Sequence, residues 1–141
     1  MGDSFAGHGL RIGGLVYLSP REALPFLDDG AILVDLREGL ERNGRAFKVK
    51  HLVTLPYREF TVAFATLPRD RTLILADCVG LKSKHALRFL VEHGYESVAC
   101  LNGGMTDWLG DGLPTIIDHE EELTGSCTCR LRPRKDYRPT C

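Results

Sequence analysis

The sequence predicts an α/β domain with a sheet of about five mainly parallel strands and helices on both faces. Short apolar runs alternate with longer segments of helical periodicity along most of the chain, as in βαβ units. Residues 31–36 are apolar apart from Asp35, which indicates a strand buried on both faces. Right-handed crossovers are expected to connect such parallel strands.

The N-terminal part predicts a flexible segment, a strand and a helix. Glycines punctuate residues 7–14, so residues 1–14 are expected to be a flexible approach to the domain. The apolar residues 15–18 form the first predicted strand. A helix over residues 19–27 follows, because a capping serine, a proline at the first helical position and an acid three residues after the cap occur in that order.

The middle of the chain predicts a loop, two strands and a helix between them. The charged stretch 37–50 is expected to be a surface loop with some helix. Residues 51–56 form a short strand closed by proline. Residues 57–67 have apolar side chains at a spacing that suits a helix packed on the sheet. Residues 72–76 then form the strand that leads to Cys78.

The remaining elements close the domain and precede a tail of different composition. Ser83 is expected to cap a helix that runs through Glu92. A strand over residues 98–101 and a short helix over 105–109 follow. The predicted domain spans residues 15–118. Residues 119–141 shift from acidic to basic and proline-bearing sequence, which predicts a cysteine-containing C-terminal tail.

Composition narrows the functional classes. A chain of 141 residues suits one domain, and 18 Lys and Arg against 19 Asp and Glu give no reason to expect nucleic-acid or membrane-surface binding. The apolar stretches are shorter than the roughly 20 residues that span a bilayer, and no signal pattern is evident. An odd count of 5 cysteines argues against a disulfide framework. A reducing, cytoplasmic location is therefore expected.

Cys78 is the candidate catalytic residue. It lies between a strand and a helix in a short glycine-containing loop, so backbone N–H groups and the positive end of the helix dipole converge on it. Lys82 and Lys84 add cationic charge, which favours a thiolate and attracts anions. The alternative is a buried cysteine that acts as a small apolar residue, which is the role expected for Cys100.

The segment after Cys78 is the expected substrate-binding loop, because its backbone N–H groups and its lysines suit a small anion. A lysine in this loop has the alternative role of a solvated surface charge. Ser83 has the alternative role of a helix cap, and His85 is expected to lie at the surface or in packing contacts. The predicted binding residues are Val79, Gly80, Leu81, Lys82, Ser83 and Lys84.

Three further cysteines, Cys127, Cys129 and Cys141, lie in the predicted tail. Mobile thiols are good exchange partners, so a sulfur or redox relay is one hypothesis for them. A metal site is a second hypothesis, although the spacing is a weak match to zinc sites, and no metal or cofactor is predicted. Thiols without a specific role are the third.

Three motifs stand in a fixed order along the chain. Asp35 and Arg37 form an Asp-x-Arg element, Cys78 follows, and residues 101–108 read Leu-Asn-Gly-Gly-Met-Thr-Asp-Trp. Together they resemble the rhodanese-like sulfurtransferases, whose Leu-x-Gly-Gly-x-x-x-Trp signature fits at all four fixed positions and whose catalytic cysteine stands where Cys78 does. The resemblance covers about residues 15–117 and implies a rhodanese-like domain.

Two segments depart from that family's pattern. Family members commonly read His-Ile-x-Gly-Ala-x-x-Ile-Pro before the third helix, whereas residues 48–56 keep only the apolar positions and the proline. The family's loop often has glycine in its fourth position and arginine in its sixth, whereas here Gly80 is third and Ser83 is sixth. Lys82 and Lys84 are the residues that would supply the missing charge.

Structural roles are expected for the other motif residues. Asp35 and Arg37 are predicted to pair and shape the neighbouring loop. Gly103 and Gly104 are predicted to permit a tight turn from strand to helix, and Trp108 is predicted to fill core space.

The function implied by the resemblance is sulfur transfer by double displacement. Cys78 would take a sulfane sulfur from a small anion such as thiosulfate and pass it, as a persulfide, to a thiol or cyanide-like acceptor. A cysteine-loop phosphatase or arsenate reductase is an alternative, because Lys84 stands where a phosphate loop has its arginine. A non-catalytic rhodanese-like binding module is another, and no protein partner is identified.

Overall fold

The computed structural model describes residue 5 and residues 7–42 and 44–117, which form an α/β fold. The strands are β1 (Leu10–Ile12), β2 (Leu15–Leu18), β3 (Ile32–Asp35), β4 (Arg45–Phe47), β5 (Leu52–Thr54), β6 (Leu73–Ala76), β7 (Val98–Leu101) and β8 (Thr115–Ile117). Six of them form a central sheet in the order β1-β2-β7-β6-β3-β5. The helices are α1 (Pro20–Asp28), α2 (Gly39–Arg42), α3 (Tyr57–Ala63), α4 (Leu81–Glu92) and α5 (Gly104–Gly110), with a 3-10 turn at Phe64–Thr66.

The sheet is mainly parallel, as the sequence predicts. Strands β2, β7, β6, β3 and β5 run parallel to one another, and β1 pairs antiparallel with β2. Alternate residues of β6 point to opposite faces: Leu73 and Leu75 pack with Phe60 of α3 and Leu87 of α4, whereas Ile74 packs on the face of α1 and α5. The prediction of helices on both faces is confirmed.

Strand β2 and helix α1 lie where the sequence predicts them. Ser19 accepts the N–H of Glu22, and the Glu22 carboxylate accepts the N–H of Ser19, so both halves of the capping box are present. Three strands were not predicted. Strand β1 lies inside the segment expected to be flexible, and β4 pairs with β8 in a separate two-stranded sheet.

Helix α4 begins three residues earlier than predicted. Gly80 is its N-cap, with a φ of 99° that glycine adopts without strain, and Leu81 is the first helical residue. Ser83 therefore lies inside the helix, where it is completely buried, and the prediction that Ser83 is the cap is wrong. The earlier start brings the helix N-terminus directly against the residues around Cys78.

The predicted tail, residues 119–141, lies outside the described residues. Within the part of the chain that the structure describes, no helix is both long and apolar enough to cross a bilayer.

Candidate active site

Cys78 lies at the carboxyl end of β6, which is flanked by β3 and β7 in the sheet. Its side chain is 7% exposed, and its Sγ lies 3.9 Å from the main-chain oxygen of Glu41. The structure records Cys78 in a disulfide, whereas Cys100 is free. A disulfide sulfur is not a nucleophile, so any attack by Cys78 requires its prior reduction to the thiol.

The carboxylate of Asp77 organises the loop that follows Cys78. Asp77 is 3% exposed and accepts the backbone N–H groups of Gly80, Lys82 and Ser83, at 2.6 Å for Lys82 and 3.3 Å for Ser83. Lys82 and Ser83 are the second and third residues of α4. Asp77 therefore satisfies N–H groups that an N-cap side chain would otherwise bind.

Ser83 links this carboxylate to a buried thiol. Its Oγ lies 3.4 Å from Asp77 Oδ1, 3.2 Å from the oxygen of Gly80 and 3.0 Å from the Sγ of Cys100. Burial, reinforced by the charge of Asp77 and opposed by the Ser83 bond, raises the pKa of Cys100 to about 11. Cys100 is 1% exposed, so its predicted role in core packing is confirmed.

Lys82 forms an ion pair with Glu41 of α2. Its Nζ lies 3.2 Å and 3.1 Å from the two carboxylate oxygens, and both side chains are about one-third exposed, at 35% and 33%. Burial alone would raise the pKa of Glu41, but the N–H of Glu38 and the ammonium of Lys82 outweigh it and lower that pKa. The carboxylate is therefore ionised at neutral pH.

The remaining residues of the loop differ in exposure. Val79 is 58% exposed and Leu81 is 62% exposed, whereas Gly80 is half-buried. Lys84 and His85 are both exposed on α4, and the surface placement of His85 agrees with the sequence prediction.

The paired glycines hold the main chain of the site. Gly103 and Gly104 have φ values of 77° and 57°, and a side chain on Gly104 would collide with the main chain of Asp77 and Cys78. This close approach of the two backbones lets the N–H of Met105 donate to the main-chain oxygen of Asp77 at 2.8 Å. The next N–H, of Thr106, donates to the Cys78 oxygen at 3.0 Å. The predicted tight turn is confirmed, and it fixes the backbone of the candidate nucleophile.

Asp35 and Arg37 form a buried bidentate pair, as the sequence predicts. The Arg37 Nε and Nη2 lie 3.0 Å and 2.8 Å from the Asp35 carboxylate, and both residues are 1% exposed. Nη2 also donates to the oxygen of Arg45, which ties the pair to β4. Trp108 is completely buried, so its predicted core role is confirmed.

The structure therefore brings the predicted nucleophile, the loop and Lys82 together, but two residues were missed. Asp77 was assigned no role in the sequence analysis, and its position directly before Cys78 was the available signal. Glu41 is 41 residues from Lys82, and no sequence signal joins them. Cys127, Cys129 and Cys141 lie outside the described residues. Within the described residues, no group of three or more metal-ligating side chains occurs.

Comparisons with known proteins agree with this architecture. The model of the rhodanese-like domain family matches residues 19–111. The thiosulfate sulfurtransferase GlpE of Haemophilus influenzae (strain PittEE) is 30% identical over 101 residues, which are 69% of this chain and 90% of that protein. A sulfurtransferase of Allochromatium vinosum is 28% identical over 89 residues, which are 62% of this chain and 80% of that protein.

Solved structures share the fold. A rhodanese-related protein from Thermoplasma volcanium superposes with a TM-score of 0.65 at 20% identity, covering 71% of this chain and 96% of that chain. The polysulfide-sulfur transferase homodimer of Wolinella succinogenes gives a TM-score of 0.63 at 25% identity, covering 72% of this chain and 78% of that chain.

Proposed function

This chain belongs to the rhodanese-like domain family, and from that membership we propose that it is a sulfurtransferase that carries sulfane sulfur as a persulfide on Cys78. The observation that supports this proposal most directly is the position of Cys78. Its sulfur lies at the carboxyl end of a central parallel strand, where α/β proteins gather their reactive groups, and next to the N-terminus of a helix of 12 residues.

The reaction consists of two displacements. In the first, the reduced Cys78 thiolate attacks the terminal sulfur of thiosulfate, a new sulfur–sulfur bond forms, and the old one breaks as sulfite leaves with the electron pair. In the second, a nucleophile such as cyanide or a thiolate attacks the outer sulfur of the persulfide. The Cys78 thiolate then leaves, and the enzyme returns to its starting state without an external oxidant or cofactor.

The residues around Cys78 support this chemistry by fixing its backbone. Asp77 holds the loop from inside, and the N–H of Thr106 holds the carbonyl group of Cys78. A nucleophile held in this way loses little entropy on reaching the geometry of attack. Residues 79–84 form the proposed donor-binding segment, with Lys82 and Lys84 as its cations. Within it, Ser83 is completely buried, and the N–H groups of Gly80, Lys82 and Ser83 donate to Asp77, so these N–H groups shape the loop and are not open to the donor.

The proposal is tested by the intact mass of the protein after reduction, thiosulfate treatment and desalting. We expect wild type to gain one sulfur atom and Cys78→Ser to gain none. Cys100→Ser is the matched control, because Cys100 is buried and has a pKa near 11, and it should gain the same sulfur atom as wild type. Omission of the reductant is expected to prevent the gain, because Cys78 is then in its disulfide form.

A second assay measures thiocyanate formation from thiosulfate and cyanide by the same three proteins. We expect turnover by wild type and Cys100→Ser but not by Cys78→Ser, which would show that Cys78 also passes its sulfur to the acceptor. Absence of both the sulfur adduct and turnover from reduced wild type would overturn the proposal with thiosulfate as donor. Hydrolysis of p-nitrophenyl phosphate that depends on Cys78 would instead favour a cysteine-loop phosphatase.

A further inference from the structure

Glu41 is the residue outside the cysteine loop that bears most directly on which donor the site accepts. We propose that Glu41 is a specificity-determining residue, which neutralises Lys82 and so disfavours dianionic donors relative to donors of lower charge. This inference deepens the proposed function, on which it rests, by assigning a charge preference to the same site.

The geometry carries the argument because one residue contacts both the nucleophile and the loop cation. The main-chain oxygen of Glu41 lies 3.9 Å from the Cys78 sulfur. Its side chain reaches Lys82 with both carboxylate oxygens, at 3.1 Å and 3.2 Å from Nζ. Glu41 therefore adds a negative charge at the same edge of the site where the loop supplies its positive charge.

Charged groups of both signs lie around the loop that contains Cys78. Asp77 adds a second carboxylate on the inner side of the loop, and Arg37 is bound to the carboxylate of Asp35. Lys84 is exposed on α4, and the Nη1 of Arg42 lies 3.4 Å from the main-chain oxygen of Arg37. Among these groups, Lys82 is the loop cation whose ammonium group is bound by both oxygens of an ionised carboxylate, that of Glu41.

An anionic donor that binds Lys82 must compete with Glu41 for it. Such a donor must also approach the negatively charged carboxylate of Glu41. The electrostatic penalty scales with donor charge, so a dianion loses twice as much as a monoanion at the same distance. The apolar surfaces of Val79 and Leu81, both more than half exposed, offer contacts that do not depend on donor charge. We therefore expect the site to prefer donors with one negative charge or none, and with an apolar group beside the sulfane sulfur.

The test measures the potential at Cys78 with two alkylating reagents of similar size. Iodoacetate carries one negative charge and iodoacetamide carries none, so the ratio of their rates at Cys78 reports the local field and cancels changes in thiolate fraction. Rates are followed on reduced protein by mass spectrometry of the peptide containing Cys78. The ionic strength is about 0.01 M, where charges are little screened.

Three variants separate charge from contact. Glu41→Gln keeps the shape of the side chain but removes its charge, and we expect it to raise the iodoacetate to iodoacetamide ratio about fivefold. Glu41→Asp keeps the charge and is expected to stay within about twofold of wild type. Asp111→Asn is the control for net charge, because Asp111 lies at the far end of α5 and pairs with Arg21. It should leave the ratio unchanged.

Donor preference is then measured directly with thiosulfate, a dianion, and methanethiosulfonate, a monoanion with the same kind of sulfane sulfur. Glu41→Gln should raise the kcat/KM ratio of thiosulfate to methanethiosulfonate by about fivefold. An unchanged alkylation ratio in Glu41→Gln, or an equal rise in Glu41→Asp, would overturn the role of Glu41. If the alkylation ratio changes but the protein uses neither donor, the sulfurtransferase function and the donor preference are both overturned. Only the effect of the Glu41 charge on the potential at Cys78 would then remain.

Discussion

The carboxylate of Asp77 accepts the backbone N–H of Lys82 at 2.6 Å, across the loop that contains Cys78. The same carboxylate accepts the N–H groups of Gly80 and Ser83, so one buried side chain sets the curvature of the loop. Because the N–H groups of α4 are bonded from inside the fold, the shape of the loop does not depend on a bound substrate. The site is therefore organised before a donor arrives.

Asp77→Asn is expected to weaken both the fold and the site. The amide replaces one accepting oxygen with a donor, which then faces backbone N–H groups in a buried position. A buried donor left without an acceptor costs about 1–3 kcal/mol, so we expect the free energy of unfolding in urea to fall by about 2 kcal/mol. Asp111→Asn changes a partly exposed carboxylate and should shift the free energy of unfolding by less than about 0.5 kcal/mol. Equal urea midpoints for the two variants would contradict this role for Asp77.

Gly104→Ala tests the contact between the glycine turn and the nucleophile's backbone. Gly104 and Gly112 both have positive φ values, 57° and 72°, but a Cβ on Gly104 would meet Asp77 and Cys78, whereas one on Gly112 meets nothing within 4 Å. Backbone strain alone should cost Gly112→Ala about 1 kcal/mol, and overpacking should raise the cost for Gly104→Ala to about 3 kcal/mol.

Activity separates the two glycine variants further. Gly104→Ala must displace the backbone of Cys78, so the rate of persulfide formation by the folded fraction should fall at least about tenfold, since small misplacements of reacting groups are costly. Gly112→Ala should keep the wild-type rate. Equal rates and equal stabilities for the two variants would show that the glycine turn does not hold the site.

Local signals explain what the sequence predicted correctly. The capping box at Ser19 and Glu22 and the apolar runs of the central strands act over a few residues, and they define α1 and the parallel sheet. The position of Cys78 follows from the same logic, because a strand followed by a glycine and a helix places the intervening residue at the edge of the sheet.

Long-range pairing explains what was missed. Strand β4 pairs with β8, with Arg45 opposite Ile117. Neither strand alternates apolar and polar residues over enough positions to be predicted from the sequence. The cap of α4 was misassigned to Ser83 because Asp77, several residues before the helix, takes the role of the capping side chain. Such contacts depend on how the loop folds back, which residue spacing along the chain does not encode.

The raised pKa of Cys100 predicts a pH-dependent stability. Burial raises this pKa from 9.0 to about 11, so the folded protein retains the thiol proton in a range where the unfolded chain releases it. The contribution to stability is complete below about pH 9 and is lost as pH rises through 11. Between pH 8 and pH 10 the loss should be about 1.4 kcal/mol.

Cys100→Ala isolates this contribution, because it removes the thiol and leaves the other titrating groups in place. Urea unfolding of wild type and variant at pH 8 and pH 10 gives two stability differences. We expect the advantage of wild type over the variant to shrink by about 1.4 kcal/mol at the higher pH. A constant difference would mean that the Cys100 thiol titrates alike in the folded and unfolded chains.

Arg37→Met tests whether the buried ion pair is structural. The variant leaves the Asp35 carboxylate at 1% exposure without its guanidinium, and an uncompensated buried charge costs about 3–5 kcal/mol in the free energy of unfolding. Arg21→Met is the matched control, because Arg21 lies 3.8 Å from Asp111 in an exposed pair that should contribute less than about 1 kcal/mol.

The double variant Asp35→Asn with Arg37→Met decides between structure and chemistry. Because it removes the buried charge together with its partner, it should recover part of the stability lost in Arg37→Met. The recovered protein should form the Cys78 persulfide at the wild-type rate, since the Arg37 guanidinium is bound to Asp35 and to the oxygen of Arg45. A stable double variant with a tenfold slower rate would instead assign Arg37 to the reaction, because its loss would then act on sulfur transfer and not on the fold.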